Sequence, residues 1–143
     1  MRPRPLLLAA LLCCALVAPP PSRAAGGELF RALGERAGIE RIVDGAVARW
    51  LADPRIRKDF EDTNIPRLRA RLIEQVCALA DGPCRYSGHD MRAAHAGLHV
   101  TEARFNALVE DLQDAMDAAG VPFATQNRLL ALLAPMRRDV MGE

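Results

Sequence analysis

"IERIVDGAVARWLADPRI", residues 39 to 56, carries Ile39, Ile42, Val43, Ala46, Val47, Trp50 and Leu51 at separations of three and four, the spacing of one helix face. A half-buried strand would alternate apolar and polar with period two, and hardly any segment of the chain does so. "DPR" at 53 to 55 predicts the end of this helix, because proline disfavours helical geometry in the residue before it.

Working outward, Leu29, Phe30 and Leu33 mark a short preceding helix that stops near Gly34. Beyond a connection containing Phe60, Pro66 fits the first turn of another helix, with Leu68, Leu72, Val76 and Leu79 on one face and Arg67, Arg69, Arg71 and Glu74 on the other. "ADGPCRYSG" at 80 to 88 is dense in turn residues. A short segment holding His95 follows and is closed by Gly97; Thr101 then caps a long helix carrying Phe105, Leu108, Val109, Leu112, Ala115 and Met116 inward, which Gly120 terminates. A last helix is expected from about Thr125, with Pro135 kinking or ending it. The chain reads as one all-α domain with no internal repeat.

The chain has 143 residues, and half of them are apolar. That share is raised by the N-terminus, where Arg2 and Arg4 precede an apolar run from Leu6 to Ala18 and Ser22-Arg23-Ala24 offers a small-x-small cleavage site. This is the layout of a secretory signal peptide, so residues 1–25 are read as a leader and 26–143 as the domain. A retained membrane anchor, or a lipoprotein using Cys13 or Cys14, is the rival reading. After cleavage, sixteen basic side chains face eighteen acidic ones, a net charge of −2 without a basic stripe, which argues against nucleic acid as partner. Cleavage also predicts a periplasmic or secreted protein with no stable membrane association. Only Cys77 and Cys84 would then remain, in an oxidising compartment, either bridged or as two separate thiols.

Three histidines and one tyrosine leave few groups for chemistry. On a local helix, His95 shares a face with Met91, Ala94 and Leu98, so its imidazole is expected to point inward. Such a ring is satisfied by a backbone carbonyl or bound to a metal. His89 and His99 read as surface residues, and a zinc site built on His95 and His99 lacks a second cluster of ligands.

The order of helices, with "WLADPRI...F" at 50 to 60, "GPCRYSGHDMRAAHAGL" at 82 to 98, "VTEARFNALVEDL" at 100 to 112 and "LLALLAP" at 129 to 135, resembles the group 1 truncated haemoglobins from about Leu29 to Val140. The resemblance implies a globin-like sandwich of two helices over two, with non-covalent haem b and a diatomic gas (oxygen, nitric oxide or carbon monoxide) bound reversibly at its iron. It makes His95 the proximal ligand. It also places Phe60 against the porphyrin, Met91 and Phe105 on the proximal side, and Arg71 and Tyr86 at the propionates, where a guanidinium pairs well with a carboxylate.

The chain departs from this family where a tyrosine on the second helix and a glutamine on the third hydrogen-bond the gas. Val47, Leu68 and Leu72 stand at those positions, and the nearest amide is Gln75. An apolar distal pocket is therefore expected, with fast oxygen release. Nitric oxide dioxygenation, which needs stably held oxygen and a reductase, is disfavoured. The family's double glycines are reduced to Gly34-Glu35 and Asp81-Gly82. From a different class, the alternative is a haem-free helical module in which His95 is a core residue and the pocket takes an apolar ligand or partner.

Overall fold

The computed structural model describes residues 27–142, and among them every regular element is a helix. The expected leader at 1–25 lies outside the described residues. In chain order the α-helices are α1 (Glu28–Ala32), α2 (Glu35–Ala52), α3 (Ile65–Leu79), α4 (Met91–His95), α5 (Glu102–Ala118), α6 (Phe123–Leu133) and α7 (Arg137–Met141). A 3-10 turn at Arg57–Phe60 follows α2, and another at Ala134–Met136 accommodates Pro135 between α6 and α7. No helix among the described residues is long and apolar enough to cross a membrane.

Helix α2 is the centre of the molecule. Its face of Gly38, Ile39, Ile42, Val43, Ala46, Val47 and Trp50 is buried, and α2 packs on both α3 and α5 while α6 closes against α3 and α5. These are the two-over-two layers that the resemblance implies. Leu51 does not belong to the face. One residue past Trp50 is about 100° round the helix, and Leu51 is left exposed.

The bend between α1 and α2 needs left-handed backbone at two successive residues, Gly34 at φ 84° and Glu35 at φ 55°. Asp81 at φ 56° does the same after α3. At both turns the chain holds an L side chain in a region that costs such residues about 1–2 kcal/mol. Gly38 stands where a Cβ would run into the Leu33 carbonyl, so α1 and α2 approach as closely as they do only with glycine there.

The buried stripe of α3 is Ile73, Val76 and Cys77. Leu68, Leu72 and Leu79, expected on that stripe, are only half-buried, so α3 has a core face and a second apolar face that the protein covers in part. Helix α5 buries Ala107, Asp111, Ala115 and Met116, whereas Phe105, Leu108, Val109 and Leu112 are half-buried.

Candidate functional site

His95 ends α4, and this corrects the sequence reading of its surroundings. Ala96 leaves the helical region at ψ 127°, so Leu98 never falls three residues along the same helix; Leu98 is half exposed and Ala94 is exposed. The His95 ring is half-buried. Its Nδ1 lies 2.8 Å from the Met91 carbonyl oxygen. A carbonyl only accepts, so Nδ1 of the neutral ring carries the proton and Nε2 keeps its lone pair for a Lewis acid. The two alternatives for a lone histidine, a carbonyl partner or a metal, are thereby compatible, since the carbonyl engages one ring nitrogen only.

Helix α4 is set by Asp90, whose side chain accepts from the Ala93 amide at 2.8 Å. The connection leading to it is fastened to α3. Ser87 donates to the Glu74 carboxylate through its amide at 3.1 Å and its hydroxyl at 2.8 Å. Arg71 donates to Glu74 at 2.6 Å and also meets the Ser87 hydroxyl. The Ser87 donors, with Arg71 behind them, hold the Glu74 carboxyl below its ordinary pKa. The Tyr86 hydroxyl donates to the His89 carbonyl at 2.7 Å, so its single proton is engaged within the loop. Burial raises the Tyr86 pKa and keeps the phenol neutral. Arg71 and Tyr86 thus share one rim of the molecule, each already tied to protein groups.

Cys77 and Cys84 are joined by a disulfide, with Cα atoms 5.8 Å apart. Inside the loop it closes, a Cβ on Gly82 would sit 2.5 Å from a Phe30 ring carbon and 2.7 Å from the Cys77 sulfur, so the chain turns there only as glycine.

Phe60 is half-buried and stacks on Trp50, ring centroids 5.8 Å apart, while the Trp50 Nε1–H donates to the Leu108 carbonyl at 3.1 Å. Val47 belongs to the core, and Leu72 and Phe60 pack against that core from its edge. Leu68, Met91 and Phe105 are half-buried outside it. The Arg137 guanidinium lies 5.9 Å from the Phe105 ring centre. None of Val47, Leu68 or Leu72 carries a hydrogen-bond donor.

Gln75 does not supply one to them. Its Nε2 lies 3.5 Å from the Met91 sulfur and 3.6 Å from the Met136 sulfur, at a cavity of about 400 Å³ also lined by Ala78, Leu79 and Tyr86. Met136 escaped the sequence reading because it follows Pro135, where helical period is lost. Glu74 was legible as the i+3 partner of Arg71; its bond to Ser87, across a loop, was not.

The Asp111 carboxyl, on the buried face of α5, has one oxygen without a hydrogen-bond partner. Burial, then the Asp53 carboxylate, raise its pKa, while the nearby Arg55 lowers that of Asp53. No group of three or more His, Cys, Asp or Glu side chains among the described residues is arranged to hold a metal ion.

The bacterial-like globin family model matches residues 28–142. The chain is 30% identical over 118 residues to a group 1 truncated haemoglobin of Mycolicibacterium paratuberculosis, covering 82% of this chain and 87% of that one. It is also 30% identical to one from Nostoc sp., covering 80% and 98%. Among solved structures, the truncated haemoglobin from Tetrahymena pyriformis in its Fe(III) form superposes with a TM-score of 0.77 at 25% identity, over 80% of this chain and 98% of that one. With the helix order, the two-over-two layers and these matches in agreement, the chain belongs to the bacterial-like globin family, alongside the group 1 truncated haemoglobins.

Proposed function

We propose that this chain binds haem b non-covalently with His95 as the axial ligand and binds a diatomic gas reversibly in a pocket to which Val47, Leu68 and Leu72 contribute. Haem, when bound, supplies an iron centre that takes oxygen, carbon monoxide or nitric oxide as a ligand. The observation that carries the reading is the His95 ring: its Nδ1–H is given to Met91 O, so Nε2 is free to ligate. Phe60, Leu68, Leu72, Met91 and Phe105, all apolar and all half-buried, suit a flat hydrophobic group. Arg71 is the cation for a propionate, in exchange for part of its contact with Glu74.

The pocket's own chemistry sets its selectivity. A gas ligand that gathers negative charge, as oxygen does, is favoured by a donor, whereas carbon monoxide depends on one far less. With hydrocarbon at 47, 68 and 72, and the Gln75 amide between two methionine sulfurs, the pocket offers oxygen little beyond the iron itself.

Absorbance spectra of the haem-supplied protein, ferric, reduced and carbon monoxide-bound, test the reading. A strong haem band that shifts on reduction and on gas addition is expected. Folded, helical protein that takes up no haem would overturn it in favour of a haem-free module.

Export is part of the same proposal. The leader-like 1–25 supports a periplasmic or secreted protein, and a bonded Cys77–Cys84 pair suits an oxidising compartment. N-terminal sequencing of protein recovered outside the cytoplasm checks it: a first residue near 26 is expected, and an intact Met1 contradicts cleavage.

A further inference from the structure

Five residues are too few for a helix to hold itself together, so α4 keeps its place only through what it is attached to. It packs on α7 at one side and hangs from the 80–90 connection at the other. Beyond the Gly82 amide on the Cys77 carbonyl, and Tyr86 at the cavity it shares with Ala78 and Leu79, that connection is tied to α3 at two points. One is polar and exposed, the Ser87 contacts with Glu74 and Arg71, where water competes. The other is covalent: Cys77 is fully buried on α3, and Cys84, packed against the core edge, is bonded to it. Two residues beyond Cys84 comes Tyr86, whose hydroxyl folds the loop onto the His89 carbonyl, and the next residue, Asp90, caps α4.

We propose that the Cys77–Cys84 disulfide is the positioning clamp of the histidine helix. Closed, it fixes the start of the segment 84–90 on α3 and so holds α4 in register. Opened, it leaves the segment 84–90 on non-covalent contacts alone, with α4 held by these, by its packing on α7 and by the Gln75 contact with Met91, and the place of His95 loosens. Opening is a thiol–disulfide exchange with a dithiol: the reductant forms its own disulfide, giving two electrons and two protons, and Cys77 and Cys84 each become S–H. The consequence for haem retention rests on His95 being the haem ligand; the clamp itself does not.

The test is hydrogen exchange, read by mass spectrometry on the full chain supplied with haem, before and after dithiothreitol. Reduction is verified as a two-hydrogen mass gain on peptides spanning 77 to 84. The clamp predicts a rise in exchange over 84–98 at least tenfold greater than any rise in α2 and α5, and about tenfold faster haem transfer to a scavenger apoprotein. Cys84→Ser should show the fast rates without reductant and no further change with it. Unchanged exchange over 84–98 after verified reduction overturns the clamp. So does an equal rise through α2 and α5, which is global loosening, or free thiols at 77 and 84 in unreduced protein. If the chain takes up no haem, the functional reading falls, and the exchange over 84–98 still decides the clamp.

Discussion

At Val47 a branched hydrocarbon stands where the group 1 family pattern has a phenol, and the difference is one hydrogen-bond donor. A hydrogen bond to a charged group contributes about 1.5–3 kcal/mol. Val47→Tyr should therefore slow oxygen dissociation by roughly 10- to 150-fold, with a smaller effect on carbon monoxide; an unchanged rate in flash photolysis would show that the apolar pocket does not set oxygen release. Asp111 makes a different residue-scale prediction. Its carboxyl pKa is raised above the ordinary 3.8, by burial first and Asp53 second. A raised carboxyl favours the protonated fold, so this contribution is fully present below about pH 3.8 and is lost as pH rises through the folded value. At neutral pH the buried charge opposes folding. Asp111→Asn, neutral and able to donate to Asp53, should raise stability at pH 7 by about 1 kcal/mol, and thermal melts should show the advantage shrinking as pH falls; an advantage that persists at pH 3 contradicts it. His95 was singled out by apolar residues at helical spacing, a pattern that the end of α4 cuts short, and its role as a ligand was implied only by the resemblance to the group 1 truncated haemoglobins. Asp111 was not, although it lies four residues from both Ala107 and Ala115 on the buried face, because a carboxylate is ordinarily read as surface.

Helices α2, α3 and α5 were readable as elements because each buries one face along 15 or more residues, and periodicity over that length is hard to mistake. Their rotation was less readable. Apolar side chains on α3 occupy two faces, and nothing in the spacing told Leu68, Leu72 and Leu79, half-covered, from Ile73, Val76 and Cys77, fully covered. Helix α4 was legible only through its histidine, since five residues hold no period and its end at His95 depends on the backbone of Ala96. Its stability is local, and Asp90 is the main local device. Removing that cap with Asp90→Ala should cost about 1 kcal/mol and speed haem loss roughly fivefold. Haem transfer to a scavenger apoprotein, followed by absorbance, measures it; an unchanged rate would mean that the cap does not support His95. The turns at Glu35 and Asp81 were the least certain from sequence, because both depend on a side-chain-bearing residue accepting positive φ.

Across the whole molecule, the two-over-two arrangement follows from α2 packing on both α3 and α5, with α6 closing against the same two helices. The disulfide adds a constraint that the core does not need for its topology. In the chain-entropy account, closing a loop of about eight residues stabilises the fold by about 2.5 kcal/mol. Urea titrations with and without dithiothreitol should show a loss of that order, with the denaturant slope little changed; no shift of the midpoint would mean that the bond constrains nothing outside its own loop. Family membership and fold support a haem-binding chain. Whether His95 is the haem ligand rests on one imidazole nitrogen, and the most direct test removes that ring and gives it back. His95→Gly should lose or alter the haem spectrum of the wild-type protein, and millimolar free imidazole should restore it. A His95→Gly variant whose ferric, reduced and carbon monoxide-bound spectra match the wild type, with no response to imidazole, would contradict the assignment.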